Sequence, residues 1–146
     1  MNIASRKLPA YNVAMADTSL VKKLQIKAGQ RLAVINAPGD YRKVLGELLE
    51  GTSVTDSLAG PPDFVLVYAQ TSRDGERLTP EVMKALKPNG LFWVCYPKGT
   101  SKVRTDLNRD ILWGLMQKFR LAGVSMVSLN DVWSAMRFRP AEKVGK

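Results

Sequence analysis

Lys98 to Asn108, K-G-T-S-K-V-R-T-D-L-N, gathers donors suited to holding an anion. Lys98, Lys102 and Arg104 supply cationic groups, Thr100 and Ser101 supply hydroxyls, and Gly99 permits close backbone approach. A helix opening beyond Thr105 would add free N–H groups with a partial positive charge, although Asp106 at that start could take those groups for itself. The spacing is not that of a Walker motif, because the glycines and the lysine stand at the wrong positions. The expectation is that Lys98, Ser101 and Lys102 hold a phosphate or carboxylate, with Asn36 and Tyr41 across a cleft and Arg137 closing it. The alternative is a solvated connection leading into a capped helix.

Other residues carry weaker chemical signals. Trp133 opens a strand beside the Asn130-Asp131 turn, with Ser134 and Arg137 close by, so either a rim position near a ligand or plain packing suits it. Trp93 falls mid-strand and Trp113 mid-helix, where packing explains them. Cys95 alternates within an apolar strand and has no histidine to activate it, so it reads as a buried, inert thiol. The chain contains no histidine and one cysteine. Imidazole-based nucleophile pairs are thereby excluded and no metal site is expected. The carboxylates are scattered and no pair is placed for acid-base work, so no catalytic residue can be named.

The elements that must position these residues start with Arg31 to Tyr41, R-L-A-V-I-N-A-P-G-D-Y. Its apolar half reads as a strand buried on both faces, and Ala37-Pro38-Gly39-Asp40 turns the chain into a helix capped by Asp40. Ligands in doubly wound α/β folds sit beyond the carboxyl ends of the strands, which puts Asn36, Gly39 and Tyr41 on the rim. Before this strand, residues 1–16 read as a loose arm, and Asp17 to Ser19 offer caps for a short helix with Leu20, Val21 and Leu24 inward. After it, Tyr41, Val44, Leu45, Leu48 and Leu49 recur at helical spacing, with Glu47 facing out and Gly51 as the stop. Thr52 to Thr55 reads as a strand near an edge, and Asp63 to Gln70 as a buried strand beside the first.

Thr71 to Arg77 reads as a polar loop, with Thr79-Pro80-Glu81 starting a helix that Pro88-Asn89-Gly90 stops. Leu91 to Tyr96 is a fourth strand. The longest helix is expected after Thr105 or Asp106, burying Leu107, Ile111, Leu112, Leu115, Met116 and Phe119, with Gly123 as its C-terminal cap. Val124 to Leu129 and Trp133 to Arg139 are strands whose short connection forces an antiparallel pair. The fold class expected is α/β, a single doubly wound domain over residues 17–140 with a mostly parallel central sheet, helices on both sheet faces and a closing antiparallel hairpin, followed by a tail at 141–146.

Composition sets outer bounds. The chain has 146 residues, 45% hydrophobic and 24% charged, as expected of one globular domain. Net charge is +9, from 22 Lys+Arg against 13 Asp+Glu, which favours anionic partners. The basic residues form neither a run nor an aromatic-interleaved stripe, so nucleic-acid contact is expected to be weak, non-specific and salt-sensitive. No early apolar run serves as a signal or membrane span, so a cytoplasmic protein without membrane contact is expected.

The order of elements resembles the Rossmann-like fold of class I S-adenosylmethionine-dependent methyltransferases over about Ser19 to Phe138. L-Q-I-K-A-G-Q-R-L-A-V-I and A-L-K-P-N-G-L-F-W-V are similar to their lead-in and helix-to-strand phrases. Tyr96 to Lys98, Asp106-Leu107 and Trp133 to Phe138 look like a family of small uncharacterised bacterial proteins. The methyltransferase resemblance implies an acidic-x-Gly-x-Gly-x-Gly turn against the cofactor, but this chain has Asn36-Ala37-Pro38-Gly39-Asp40, where only Gly39 survives and Pro38 lacks an N–H. Ordinary S-adenosylmethionine use is therefore disfavoured. Asp56 stands where such folds often place the ribose-binding acid, or serves its turn. Two functions stay open: a domain binding a small anionic or nucleotide-like ligand at the strand ends, or a non-enzymatic protein- or nucleic-acid-binding module.

Overall fold

The computed structural model describes residues 20–46 and 48–144. The expected arm at 1–16, the caps at Asp17 to Ser19, the outward Glu47 and the last two residues of the tail lie outside that range. Six strands form one sheet in the order β2-β1-β3-β4-β6-β5: β1 Arg31–Ile35, β2 Ser53–Thr55, β3 Phe64–Tyr68, β4 Leu91–Pro97, β5 Leu121–Ser128 and β6 Trp133–Pro140. The first four are mutually parallel, and β6 runs antiparallel between β4 and β5. β2 lies at the edge and β3 beside β1, as their sequences suggest.

Alternation along the strands sorts the apolar residues into two layers. Val65, Val67, Phe92, Val94, Met136 and Phe138 face the helices α3 (Ser72–Ala85) and α4 (Arg109–Gln117). Leu32, Val34, Leu66, Tyr68, Trp93 and Cys95 pack with residues of α1 (Leu20–Lys23) and α2 (Tyr41–Leu45). All five residues of β3 are buried, the signature of a central strand covered on both sides. The Trp93 indole donates to the Leu24 carbonyl at 3.1 Å, so this tryptophan is core.

Helix boundaries depart from the sequence expectations. α2 ends at Leu45, where Gly46 turns with φ +79°, and Leu49 is left exposed; the Asp40 side chain makes no capping bond. β2 runs on to β3 without an intervening helix. α3 begins at Ser72: the Thr71 hydroxyl accepts from the Asp74 N–H while the Asp74 carboxylate accepts from the Thr71 N–H, a capping box. Pro80 is inside this helix, which is longer than α4. Asn108, rather than Thr105 or Asp106, caps α4, accepting from the Ile111 N–H at 2.8 Å. Ile111 is 48% exposed, because the buried stripe starts one residue later at Leu112. Gly123 is a β5 residue; the chain reverses at Arg120 with φ +60°. A Cβ on Gly123 would meet the Trp113 ring at 3.0 Å, so that half-exposed tryptophan lies against the sheet's outer strand. Residues 141–143 form one 3-10 turn, with the Ala141 N–H donating to the Arg120 carbonyl.

Candidate functional site

Strand order reverses between β1 and β3: β2 follows β1 on one side, and the chain resumes with β3 on the other. At the carboxyl ends of these two strands a cavity of ≈ 320 Å³ opens. This is the topological switch point, where ligands of doubly wound sheets bind.

Asn36 closes β1 with φ +62°, a left-handed conformation that asparagine tolerates better than most residues. Its side-chain N–H donates to the Tyr68 carbonyl at the end of β3, 2.9 Å away, tying the two strand ends together. Ala37 and Pro38 continue the cavity wall on the β1 side. Across it stand Tyr68 and Trp133, whose rings meet edge-on at 85° with centroids 5.0 Å apart. Trp133 is held there because the Asn130 carboxamide oxygen accepts from its N–H and from that of Val132, each at 2.9 Å. Burial pushes the Tyr68 phenol well above its ordinary value, reinforced by Cys95 and Asp40.

Gln70 and Asp74 complete the lining. The Asp74 carboxylate accepts from the Gln70 N–H at 3.1 Å as well as from Thr71. The Gln70 side chain donates to the Arg104 carbonyl at 3.1 Å, and the Thr105 hydroxyl donates to the Gln70 carbonyl, so the loop after β4 is stitched to the start of α3. Asp106 belongs to the same stitching: it accepts from the Ser72 N–H at 2.8 Å and the Ser72 hydroxyl at 2.6 Å. Those bonds hold its carboxyl below the usual carboxylate range.

Of the residues singled out from the sequence, this cavity gathers Asn36 and Trp133. Lys98 is adjacent through its backbone, whose N–H donates to the Val132 carbonyl at 2.7 Å, but its ammonium donates to the Ser128 hydroxyl at 2.6 Å at the end of β5. The Ser101 hydroxyl turns back to the Lys98 carbonyl at 2.8 Å, while Gly99, Thr100 and Lys102 are exposed and outside the lining. Tyr41 packs half-buried in the α1–α2 layer, and a Cβ on Gly39 would meet open space, so neither residue forms the wall. Arg137 pairs with Trp93 in the middle of the sheet; four residues at about 3.3 Å each separate it from Trp133. Its Nε and the hydroxyl of its register partner Ser125 are buried without hydrogen-bond partners. Asp56 is exposed beyond β2 and outside the lining. Tyr68, Gln70 and Asp74 are the lining residues that sequence reasoning passed over, although β3 beside β1 already implied that Tyr68 would stand at the strand ends.

The methyltransferase turn is replaced here in kind. At this turn Pro38 lacks an N–H, Gly39 faces open space and the Asn36 side chain bridges to the end of β3. Among the described residues no cluster of metal-binding side chains occurs, and no helix is long and apolar enough to cross a membrane.

The class defined by this sheet order and switch-point cavity is the methyltransferase-like Rossmann domain. Solved structures with similar folds include a S-adenosylmethionine-dependent methyltransferase from Aquifex aeolicus, at 12% identity and TM-score 0.57, covering 82% of this chain and 86% of that one. A putative type 11 methyltransferase from Sulfolobus solfataricus is similar at 12% identity and TM-score 0.57, covering 90% and 95%. A ribosomal protein L11 methylase from Lactobacillus delbrueckii subsp. bulgaricus is similar at 9% identity and TM-score 0.55, covering 88% and 76%. No family model and no curated protein sequence matches the chain.

Proposed function

We propose that this domain binds a nucleoside-like ligand, with adenosine as the representative, in the switch-point cavity. The observation that carries the reading is the convergence of Trp133, Tyr68, Asn36 and Gln70 on one cavity where β1 and β3 diverge. An aromatic base finds the Trp133 ring, and the amides of Asn36 and Gln70 present polar atoms that read its edge and the sugar. Asp74 is the one charged residue among the described residues of the lining, so a neutral or cationic nucleoside suits the cavity better than a phosphate or carboxylate. The methyltransferase-like fold of the solved structures supports a nucleoside-containing ligand, and the DhpI–SAH complex, similar at 12% identity and TM-score 0.56, is one such protein with a ligand of that kind. Lacking the glycine cradle, the domain gains little from the amino-acid half of an S-adenosyl compound and reads mainly its nucleoside half.

Thermal melts and calorimetry with adenosine, S-adenosylhomocysteine and S-adenosylmethionine test this. Adenosine at about a hundred times its dissociation constant should add about 2.7 kcal/mol to stability. The two S-adenosyl compounds should bind within about tenfold of adenosine, and Trp133→Leu should abolish all three responses. A melting temperature unmoved by every nucleoside would sink the proposal. An S-adenosyl compound binding far more tightly than adenosine would restore ordinary cofactor use.

A further inference from the structure

A second cavity, of ≈ 280 Å³, opens at the opposite end of the sheet, where α3 ends and β4 and β5 begin. Its size is close to the lower end of small-molecule sites, about 300 Å³. Phe92 and Phe138, register partners on β4 and β6, lie in its floor with ring centroids 6.5 Å apart, and Leu121 and Leu86 extend that apolar surface. Met83 stands at the mouth with 40% of its surface exposed, apolar area that the described residues leave uncovered.

Among the described residues, the charged members of the lining are Lys87, Arg139 and Lys143, with no acid. Lys87 is already engaged, its ammonium 3.0 Å from the Asp63 carboxylate. Arg139 also lines the cavity, but it alternates with Phe138 along β6, so its side chain leaves from the other face of the sheet than the phenyl floor. Lys143 remains: it is half-buried on the 3-10 turn and has no ion-pair partner among the described residues. The carboxyl end of α3 carries a partial negative charge on the Leu86 side, which steers an anionic head toward Lys143.

We propose that this cavity binds a small organic monoanion with an apolar body, its carboxylate on the Lys143 ammonium and its hydrocarbon part over Phe92 and Phe138. The site is independent of the nucleoside cavity, being at the other end of the strands.

Octanoate and octan-1-ol, titrated into the full chain by calorimetry and two-dimensional NMR, separate the two components of recognition. Octanoate should bind, and the alcohol should bind about tenfold more weakly or worse, the ratio expected when a charge-assisted bond is lost. Lys143→Gln should reduce octanoate binding to the level of the alcohol, Lys143→Arg should retain it, and Met83→Trp should block both ligands by narrowing the mouth. Trp133→Leu should leave octanoate binding unchanged, which keeps this test separate from that of the nucleoside site. Octanoate failing to bind at about 10 mM, where even a 1 mM dissociation constant gives near-saturation, overturns the proposal. So does equal binding of acid and alcohol. Should Lys143→Gln fail to fold, the comparison of acid with alcohol and the Met83→Trp variant decide.

Discussion

A single amide holds the end of β1 in a conformation that most side chains resist. Asn36 stabilises its φ of +62° by donating to the Tyr68 carbonyl, so its bond and its backbone preference can be separated by substitution. Asn36→Gly loses the bond but keeps the torsion, at a cost of about 1 kcal/mol; Asn36→Ala also incurs the left-handed penalty of about 1 kcal/mol more. Urea unfolding of both variants checks that order, and equal losses would mean the torsion is not strained. Two further residues contribute to the loss of stability at alkaline pH. Burial raises the Cys95 thiol well above 9.0 and the Tyr68 phenol above 10.0, whereas the unfolded chain titrates at those ordinary values. The unfolded state therefore loses protons first, so stability is fully present below about pH 9 and falls above it, first through Cys95 and then through Tyr68. Each group contributes at most about 1.4 kcal/mol per pH unit. Urea midpoints of Cys95→Ala, normalised to neutral pH, should fall less steeply than the parent's between pH 9 and 10; parallel curves would clear the thiol. Asn36 and Trp133 were legible as rim residues because strand ends and turn chemistry are written locally. Lys98 was legible as a rim residue but not as a partner of Ser128, since the direction of a long flexible side chain depends on a strand thirty residues later.

α3 is where element boundaries were hardest to read. Thr79-Pro80-Glu81 carries the cap, first-turn proline and acid of a helix start, yet the helix begins at Ser72 and runs through it. The stronger signal was Thr71-x-x-Asp74, and Gly75 obscured it by reading as loop. In the structure Gly75 serves packing: a Cβ there would lie 2.8 Å from the Leu115 methyl of α4. A glycine chosen for the approach of two helices cannot be told from a loop glycine until the partner helix is known. The amino end of α3 is held by two carboxylates besides the Thr71 hydroxyl, since Asp74 accepts from Gln70 and Thr71, and Asp106 from Ser72. Thr71→Ala should therefore cost about 1 kcal/mol rather than the upper value of about 2, because the carboxylates keep most first-turn donors satisfied. Chemical unfolding measures it, and a loss above about 2 kcal/mol would show that the box acts as one unit.

At the scale of the molecule, the parallel strands and the closing antiparallel pair were readable from apolar runs and from a connection too short for a crossover. The insertion of β6 between β4 and β5 was not, because a hairpin satisfies its own pattern whichever member lies inward. Side-chain burial chooses: Ala135, Met136 and Phe138 are buried on β6, whereas β5 leaves Met126 exposed, as an edge strand does. That insertion has a consequence for how the protein comes into being. Of the six strands of this sheet, the one synthesised last is the one that joins β5 to the rest, so until Trp133 to Pro140 emerge, β4 offers an open row of backbone donors and acceptors flanked by Phe92 and Trp93. A nascent or truncated chain that stops short of β6 carries a template for pairing with other chains, and its safe passage depends on this eight-residue strand arriving before a neighbour does.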